Sequence, residues 1–527
     1  MSAVVTDQFR IFNAENFVNS VLDTNNSYYV FLGFSNPSNP EPGFGRTTAD
    51  KWPIEPTDNF QYEYQYRDTS LFGKKINSKN IRRVIRKIQW TSNTPYDMYR
   101  HDYSANNPSR VTDSGRLYDS NYYVINSDYN VYICIDNGSD LSETVGNSED
   151  EPTFIDLEPS AAGTSNDGYV WKYLFTVNPS DIIKFDSTEY IVVPNDWATS
   201  TNSQIQNVRE AGDSEINFNQ IKKVVIADQG LAYNENDSQV CNILGDGSGA
   251  KVLVTTDPSG KIDSTTVTAG GTGYTYGIVD LGLLQGSSVA NPAKLIPIIP
   301  PSKGHGYNIY EELGADKVLI YARFDDSTKD FPIDTKFSQV GIIKNPSTYA
   351  SKNVIYTGSE YSSLGAIKLT PSDNLRDNVS IGTTITQTYG GQTAKGYLAS
   401  YDSITGVLKY YQDRSLYFNN RIDQTDYIGV TNDSKVVSFF DASNTIDGET
   451  PAVNFAGGSP TPANVENFSG ITTTIGNQEI NLGVTFTKGL ANPEINKTTG
   501  DVIYIDNRKL VTRDSRQKED IKIILEF

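Results

Sequence analysis

Apolar positions along this chain follow two periods. In Asn13–Asp23, residues Ala14, Phe17, Val18, Val21 and Leu22 recur at helical spacing, with Asn13 where an N-cap belongs. In Ser78–Trp90, Ile81, Val84, Ile85 and Ile88 form an i, i+3, i+4, i+7 stripe, and Arg82, Arg83, Arg86 and Lys87 occupy the other faces. Both segments read as amphipathic helices, near 13–23 and 78–90. From residue 118 onward the chain reads mostly as strand. Residues 120–126 (SNYYVIN) and 130–137 (NVYICIDN) flank a Ser-Asp-Tyr link and predict a hairpin. Residues 168–177 (GYVWKYLFTV) and 189–194 (EYIVVP) are strongly apolar and aromatic, which predicts central, buried strands. At the end, Ile521, Ile523, Leu525 and Phe527 alternate with Lys522 and Glu526, which predicts a strand tied into a sheet.

Polar and turn-forming stretches separate these elements. Residues 35–57 carry prolines at 37, 40, 42, 53 and 56, so they do not form a central strand. Phe44 and Trp52 give this stretch something to bury, and it reads as an ordered surface loop. Residues 138–166 and 441–470 also read as loops. Residues 222–280 change character: 224–233 (VVIADQGLAY) and 266–275 (TVTAGGTGYT) look like two copies of one unit, with Gly230 and Tyr233 corresponding to Gly271 and Tyr274. Between them, 245–262 carries a hairpin signal with a Pro-Ser-Gly turn. Residues 391–412 show the same small-residue-then-hairpin pattern. The organisation expected is a set of host domains, 1–221 plus 300–350 plus 500–527, interrupted by β-rich modules at 222–299 and 351–499.

Composition narrows the chemistry. The chain has 527 residues and a formal net charge of −20, with 33 Tyr, 22 Phe, two His, two Cys and two Met. Such aromatic content is too high for a disordered chain and suits strands. Cys134, Cys241, His101 and His305 lack zinc-site spacing, and the two cysteines read as buried free thiols. The negative charge opposes nucleic-acid binding. No apolar run reaches membrane-spanning length, and the N-terminus lacks the pattern of a secretory signal.

Candidate sites are few. GDGSGA (245–250) has glycines spaced to cradle a phosphate, but a strand follows rather than a helix, so it reads as a turn. GHGYN (304–308) reads as a tight bend around His305, with no GxSxG or HExxH motif to give the histidine a partner. His101, among aromatic and charged residues, reads as a hydrogen-bonded packing residue. Asp325-Asp326, Glu311-Glu312 and the Glu149-Asp150-Glu151 cluster are the carboxylate groupings; the cluster reads as a solvated face, and no metal is assigned. The basic stripe at 82–87 is either a solubilising face or a salt-sensitive contact for an acidic partner.

Five segments in order resemble the gene-product-eight family, the baseplate wedge subunit of T4-like contractile-tail phages. They are 28–59 (YYVFLGFSNPSNP…WPIEPTDN), 82–104, 127–137, 166–194 and 500–527, with 304–346 as a further segment. The resemblance implies a mainly β fold with a few helices (α+β), layered β-sandwich host domains carrying the small inserted β modules. It implies a homodimer in a virion tail baseplate, made in the host cytoplasm, with no catalysis and no cofactor. Its partners would be itself, the elongated wedge scaffold, the inner-ring wedge protein and the peripheral trimeric wedge protein, without nucleic acid or membrane. The insertions are similar to those of cyanophage tail proteins. Phe44, Trp52, Pro53, Arg82, Arg83, Arg86 and Lys87 are the contact residues expected from surface exposure. The alternative is a tail protein that binds or cleaves glycans through Tyr410, Tyr411 and Tyr417 near Asp413.

Overall fold

The computed structural model describes residues 5–34, 66–139, 144–213, 220–284, 291–324, 336–412, 436–457, 460–512 and 518–527. Phe44, Trp52 and Pro53, with the whole of the proline-rich stretch 35–57, lie outside them, as do Asp325-Asp326, Asp413 and Tyr417. The chain is mostly strand, as its aromatic and β-branched content predicts. It divides into two compact units: 1–18 with 82–319 and 523–527, and 19–81 with 320–522. No helix among the described residues is long and apolar enough to cross a membrane.

The first helix is longer than its apolar stripe. It runs Asp7–Leu22, and Thr6, not Asn13, caps it, with Phe9 N donating to Thr6 Oγ1 at 3.3 Å. Ile11, Ala14, Val18 and Val21 are buried, while Phe9 and Phe12 are exposed. Those outward aromatics blur the periodicity of the first two turns, which is why the sequence pattern starts late.

In the first unit the expected hairpin forms: Tyr123–Ile125 pairs antiparallel with Asn130–Asn137. Asn130–Asn137 pairs in turn with Tyr169–Thr176, which sits inside the four-stranded sheet as expected. Tyr169 and Trp171 stack at 5.7 Å, and Trp171 is fully buried. The 78–90 helix does not exist. Ile81–Arg86 is a strand paired antiparallel with Tyr190–Val193. Its apolar residues are β-branched, which favours a pleated surface over a helix, and both of its faces are covered. Tyr190–Val193, expected to be central, ends the sheet order, although Ile191, Val192 and Val193 are buried. Glu519–Glu526 holds the other end of that order, so the terminal strand is tied in as its alternation predicts.

Residues 221–299 close around a core of their own, which includes Ile221, Val224, Cys241, Val252, Val254, Ile262 and Leu284. Ile262–Ala269, Lys251–Thr256, Ser238–Gly245 and Gly277–Val279 form one sheet in that order, and Lys294–Pro297 pairs with Val224–Asp228 in another. Thr265 Oγ1 donates to Val224 O at 2.7 Å, bringing the two sheets edge to edge. The repeat seen in the sequence is a repeat of register. Val252, Leu253 and Val254 oppose Val267, Thr266 and Thr265, while Leu295, Ile296 and Pro297 oppose Ile226, Val225 and Val224. Both ladders slip just after a lysine, Lys251 in one and Lys294 in the other.

Each copy carries the same clamp. Gly230 and Gly271 have φ of 64° and 66°. A Cβ on either would lie 2.5 Å from the amide nitrogen of Ala293 or Ala250 respectively, so only glycine fits. Three residues on, a buried tyrosine reaches back to that same amide. Ala293 N donates to Tyr233 Oη at 2.8 Å, and Ala250 N donates to Tyr274 Oη at 3.3 Å. The strands entering the clamps, SGAK (248–251) and NPAK (291–294), belong to the repeat as well.

In the second unit a five-stranded sheet runs in the order Glu360–Ser362, Phe72–Lys75, Tyr28–Gly33, Lys336–Lys344, Asp501–Thr512. The long edge strand Asp501–Thr512 slips register twice against its neighbour, which protects an edge from pairing with other chains. A seven-stranded sheet uses strands between Gly365 and Ala491. Glu360–Ser362 belongs to the five-stranded sheet, and the seven-stranded sheet begins after residue 362. Residues 391–412 form the expected hairpin, Gln392–Asp402 with Val407–Tyr411. They lack the clamp: Gly391 and Gly406 have positive φ, of 78° and 71°, but the residues three on are Ala394 and Lys409, not tyrosine.

Candidate interaction surface

The four basic residues expected to form a surface stripe turn inward. Alternation along Ile81–Arg86 puts Arg82 and Arg86 on one face and Arg83 on the other. Arg82 grips Asp181 with two hydrogen bonds, Nε to Oδ2 at 3.0 Å and Nη2 to Oδ1 at 2.9 Å. Asp181 is held for this by the short helix Pro179–Phe185, which Asn178 caps by accepting from Ser180 N. Arg83 is only 5 % exposed, and its guanidinium lies 3.2 Å from the centroid of the Tyr310 ring. Burial lowers its pKa, and the ring beneath it opposes that shift. Arg86 donates to Ser120 O at 2.8 Å, and Lys87 to Ser187 O at 3.2 Å with Asp186 at 3.4 Å. A helical reading had to expose these cations; a strand with two covered faces has to pair them.

Around Arg83 the same unit builds a buried polar cluster. Tyr310 Oη donates to Pro194 O at 2.5 Å and accepts from Trp197 N. Trp197 Nε1 donates to Gly306 O (3.1 Å) and Tyr307 O (3.0 Å). His305 Nδ1 meets Glu312 Oε1 at 2.5 Å, and Glu312 Oε2 accepts from Gly306 N at 2.7 Å. Glu312 is 2 % exposed, and the His305 ring stands edge-on to Tyr99 at 4.8 Å. The GHGYN bend is therefore a turn, as expected, with Gly304 and Gly306 at positive φ. The carboxylate partner of His305 comes from seven residues downstream, where no sequence motif marks it. The pair closes the bend.

The remaining candidates have structural partners too. Asp150 Oδ2 accepts from Thr164 N and Ser165 N, both at 2.8 Å, and these bonds hold its carboxyl below the usual range. Glu151 accepts from Ser127 N at 2.7 Å. The acidic cluster thus latches loops together instead of forming a plain solvated face. His101 Nδ1 accepts from Ile299 N at 3.2 Å, which suits the packing role expected. Cys134 and Cys241 are buried free thiols, and among the described residues no group of acidic, His and Cys side chains is arranged to hold a metal. Asp97, which the sequence reading passed over, is fully buried and accepts from Val111 N, Thr112 Oγ1 and Asn121 N, fixing the loop that follows Tyr96.

The cluster draws on three stretches of chain: Arg82, Arg83 and Tyr99 from one, Asp181, Pro194 and Trp197 from the second, and His305 to Glu312 from the third. The whole chain matches no curated protein sequence. Residues 143–231, which supply the Tyr169–Thr176 strand, the Asp181 helix and Trp197, match the family model Phage-Gp8, described as Bacteriophage T4, Gp8.

Proposed function

We propose that the protein is a structural subunit of a contractile-tail baseplate wedge, acting as a homodimer that joins neighbouring wedge proteins through surface complementarity. The match of residues 143–231 carries this reading. The matched family is a phage baseplate family, so the location proposed is the virion tail, after synthesis in the host cytoplasm. The partners proposed are a second copy, the elongated wedge scaffold, the inner-ring wedge protein and the peripheral trimeric protein; a cyanophage origin is proposed from the inserted repeats. The self-contained core of 221–299 supports reading it as an insertion on a host fold. Phe44, Trp52 and Pro53 stay as proposed contacts. Arg82, Arg83, Arg86 and Lys87 act in this proposal by fixing the strand from which contacts are presented, since their partners are internal.

The glycan reading gains nothing from the described residues. Tyr411 is 1 % exposed, and Tyr410 packs on Phe439 at 4.5 Å, so neither offers an open stacking platform. The test is sedimentation of the full chain alone and with the other wedge proteins of the same phage. The proposal expects a dimer that shifts into a larger complex. A monomer that ignores every wedge protein contradicts it.

A further inference from the structure

Within the first unit a cavity of about 130 Å³ opens where the Asp7–Leu22 helix faces the end of the Ile81–Arg86 strand. Charged side chains dominate its wall. Most of them are matched: Arg116 pairs with Asp7 and, at 3.6 Å, with Asp119. Lys317 pairs with Asp316 at 2.9 Å and Glu526 at 3.2 Å. The Tyr118 hydroxyl is committed to Glu311 O and the Tyr123 hydroxyl to Arg86 O.

Two guanidinium groups are left over. Arg10 lines the cavity and has no side-chain partner among the described residues. Arg86 lines it as well; its Nη2 is used by Ser120, but its Nε is buried with no acceptor. A buried donor left unmade costs about 1–3 kcal/mol, so this one calls for an acceptor. A water takes up about 30 Å³, and the space therefore exceeds a single solvent molecule. A planar fork of N–H donors is matched by paired oxygens, and two guanidinium groups lining one space favour a charged acceptor with several lone pairs. We propose that this cavity binds a small oxyanion, a carboxylate or phosphate group, held between Arg10 and Arg86. The four acidic side chains on the wall are held in two pairs, Asp7 and Asp119 by Arg116 and Asp316 and Glu526 by Lys317, and Arg10 and Arg86 bring the wall to four positive charges against four negative.

The test is calorimetric titration of the full chain with inorganic phosphate and, separately, with acetate, at low chloride. Saturable binding of at least one anion is expected, and which arm saturates tells phosphate from carboxylate. Arg10→Gln should weaken it tenfold or more, and Arg10→Lys, which keeps the charge but loses the fork, by an intermediate factor. Arg376→Gln is the control, because Arg376 is exposed and, among the described residues, pairs with Asp373 and Asp377. The Arg10 side chain makes no hydrogen bond or ion pair among the described residues, so Arg10→Gln should leave the anion-free melting temperature unchanged. Should that variant melt early, the comparison of Arg10→Lys with the wild type decides. No saturable binding in either arm, or binding unchanged by the Arg10 variants, overturns the proposal.

Discussion

The arginine cluster of 81–86 and the glycine–tyrosine module of 221–299 both hide polar groups, but by opposite means. The first uses long side chains and distant partners: Arg82 reaches Asp181, Arg83 lies over Tyr310, and Glu312 closes on His305. The second uses the backbone. Each clamp sets a glycine at positive φ against an amide and satisfies that amide with a tyrosine hydroxyl. Charges inside a protein are costly to strand, so the first design should fail abruptly when one partner is lost. A neutral hydrogen bond contributes only about 0.5–1.5 kcal/mol net, so the second should fail by increments.

The largest effect expected is from Glu312→Ala. It strands His305 and the Gly306 amide in a buried site and should cost about 3 kcal/mol or more, read from denaturant unfolding of the full chain. A loss below about 1 kcal/mol would mean that the cluster is not the brittle region. Next come Gly230→Ala and Gly271→Ala, each of which forces a left-handed residue and a backbone clash worth about 2–3 kcal/mol. Hydrogen exchange should show each loss confined to the module. Global loosening would break the comparison.

Smaller changes sharpen it. Tyr233→Phe and Tyr274→Phe each remove a hydroxyl, at about 1 kcal/mol. Tyr274→Phe should cost more, because that hydroxyl also donates to Ile243 O at 2.9 Å. The smallest effect distinguishes the two copies. Ala232 has φ of 69° where the other copy has Gly273 at 74°. Ala232→Gly relieves a left-handed strain of about 1–2 kcal/mol and loses about 0.5–1 kcal/mol to chain entropy, so a slight net gain in stability is expected. Acid adds a last probe. Asp246 is held at about 2, first by the Thr275 hydroxyl and then by the Thr275 amide. A carboxyl lowered by folding stabilises above its unfolded pKa and stops doing so as pH falls through the folded value. Exchange protection of the module should therefore drop between about pH 4 and pH 2, and less so in Asp246→Asn.

The same contrast explains what could be read from the sequence. The clamp repeat was legible because glycine at positive φ and a buried tyrosine leave few substitutes at Gly230, Tyr233, Gly271 and Tyr274. The 123–137 hairpin and the terminal strand were legible because alternation of period two has one structural meaning. The stripe Ile81, Val84, Ile85, Ile88 was not, since a strand covered on both faces also places apolar residues at irregular spacing. Its β-branched composition was the signal available, and it was outweighed by period. The pairing of Arg82 with Asp181 and of His305 with Glu312 had no local signature: the first spans 99 positions, and the second depends on how a bend folds back. The anion cavity is less legible still, because its walls come from five separate stretches of chain.

The proposal that this chain is a part of a tail baseplate is tested most directly by a density map of the assembled baseplate of a phage carrying this sequence. The account predicts two copies of this chain in each wedge, recognisable by the compact 221–299 module on a larger β body. Purified virions whose baseplates hold no density or peptide from this chain would contradict it.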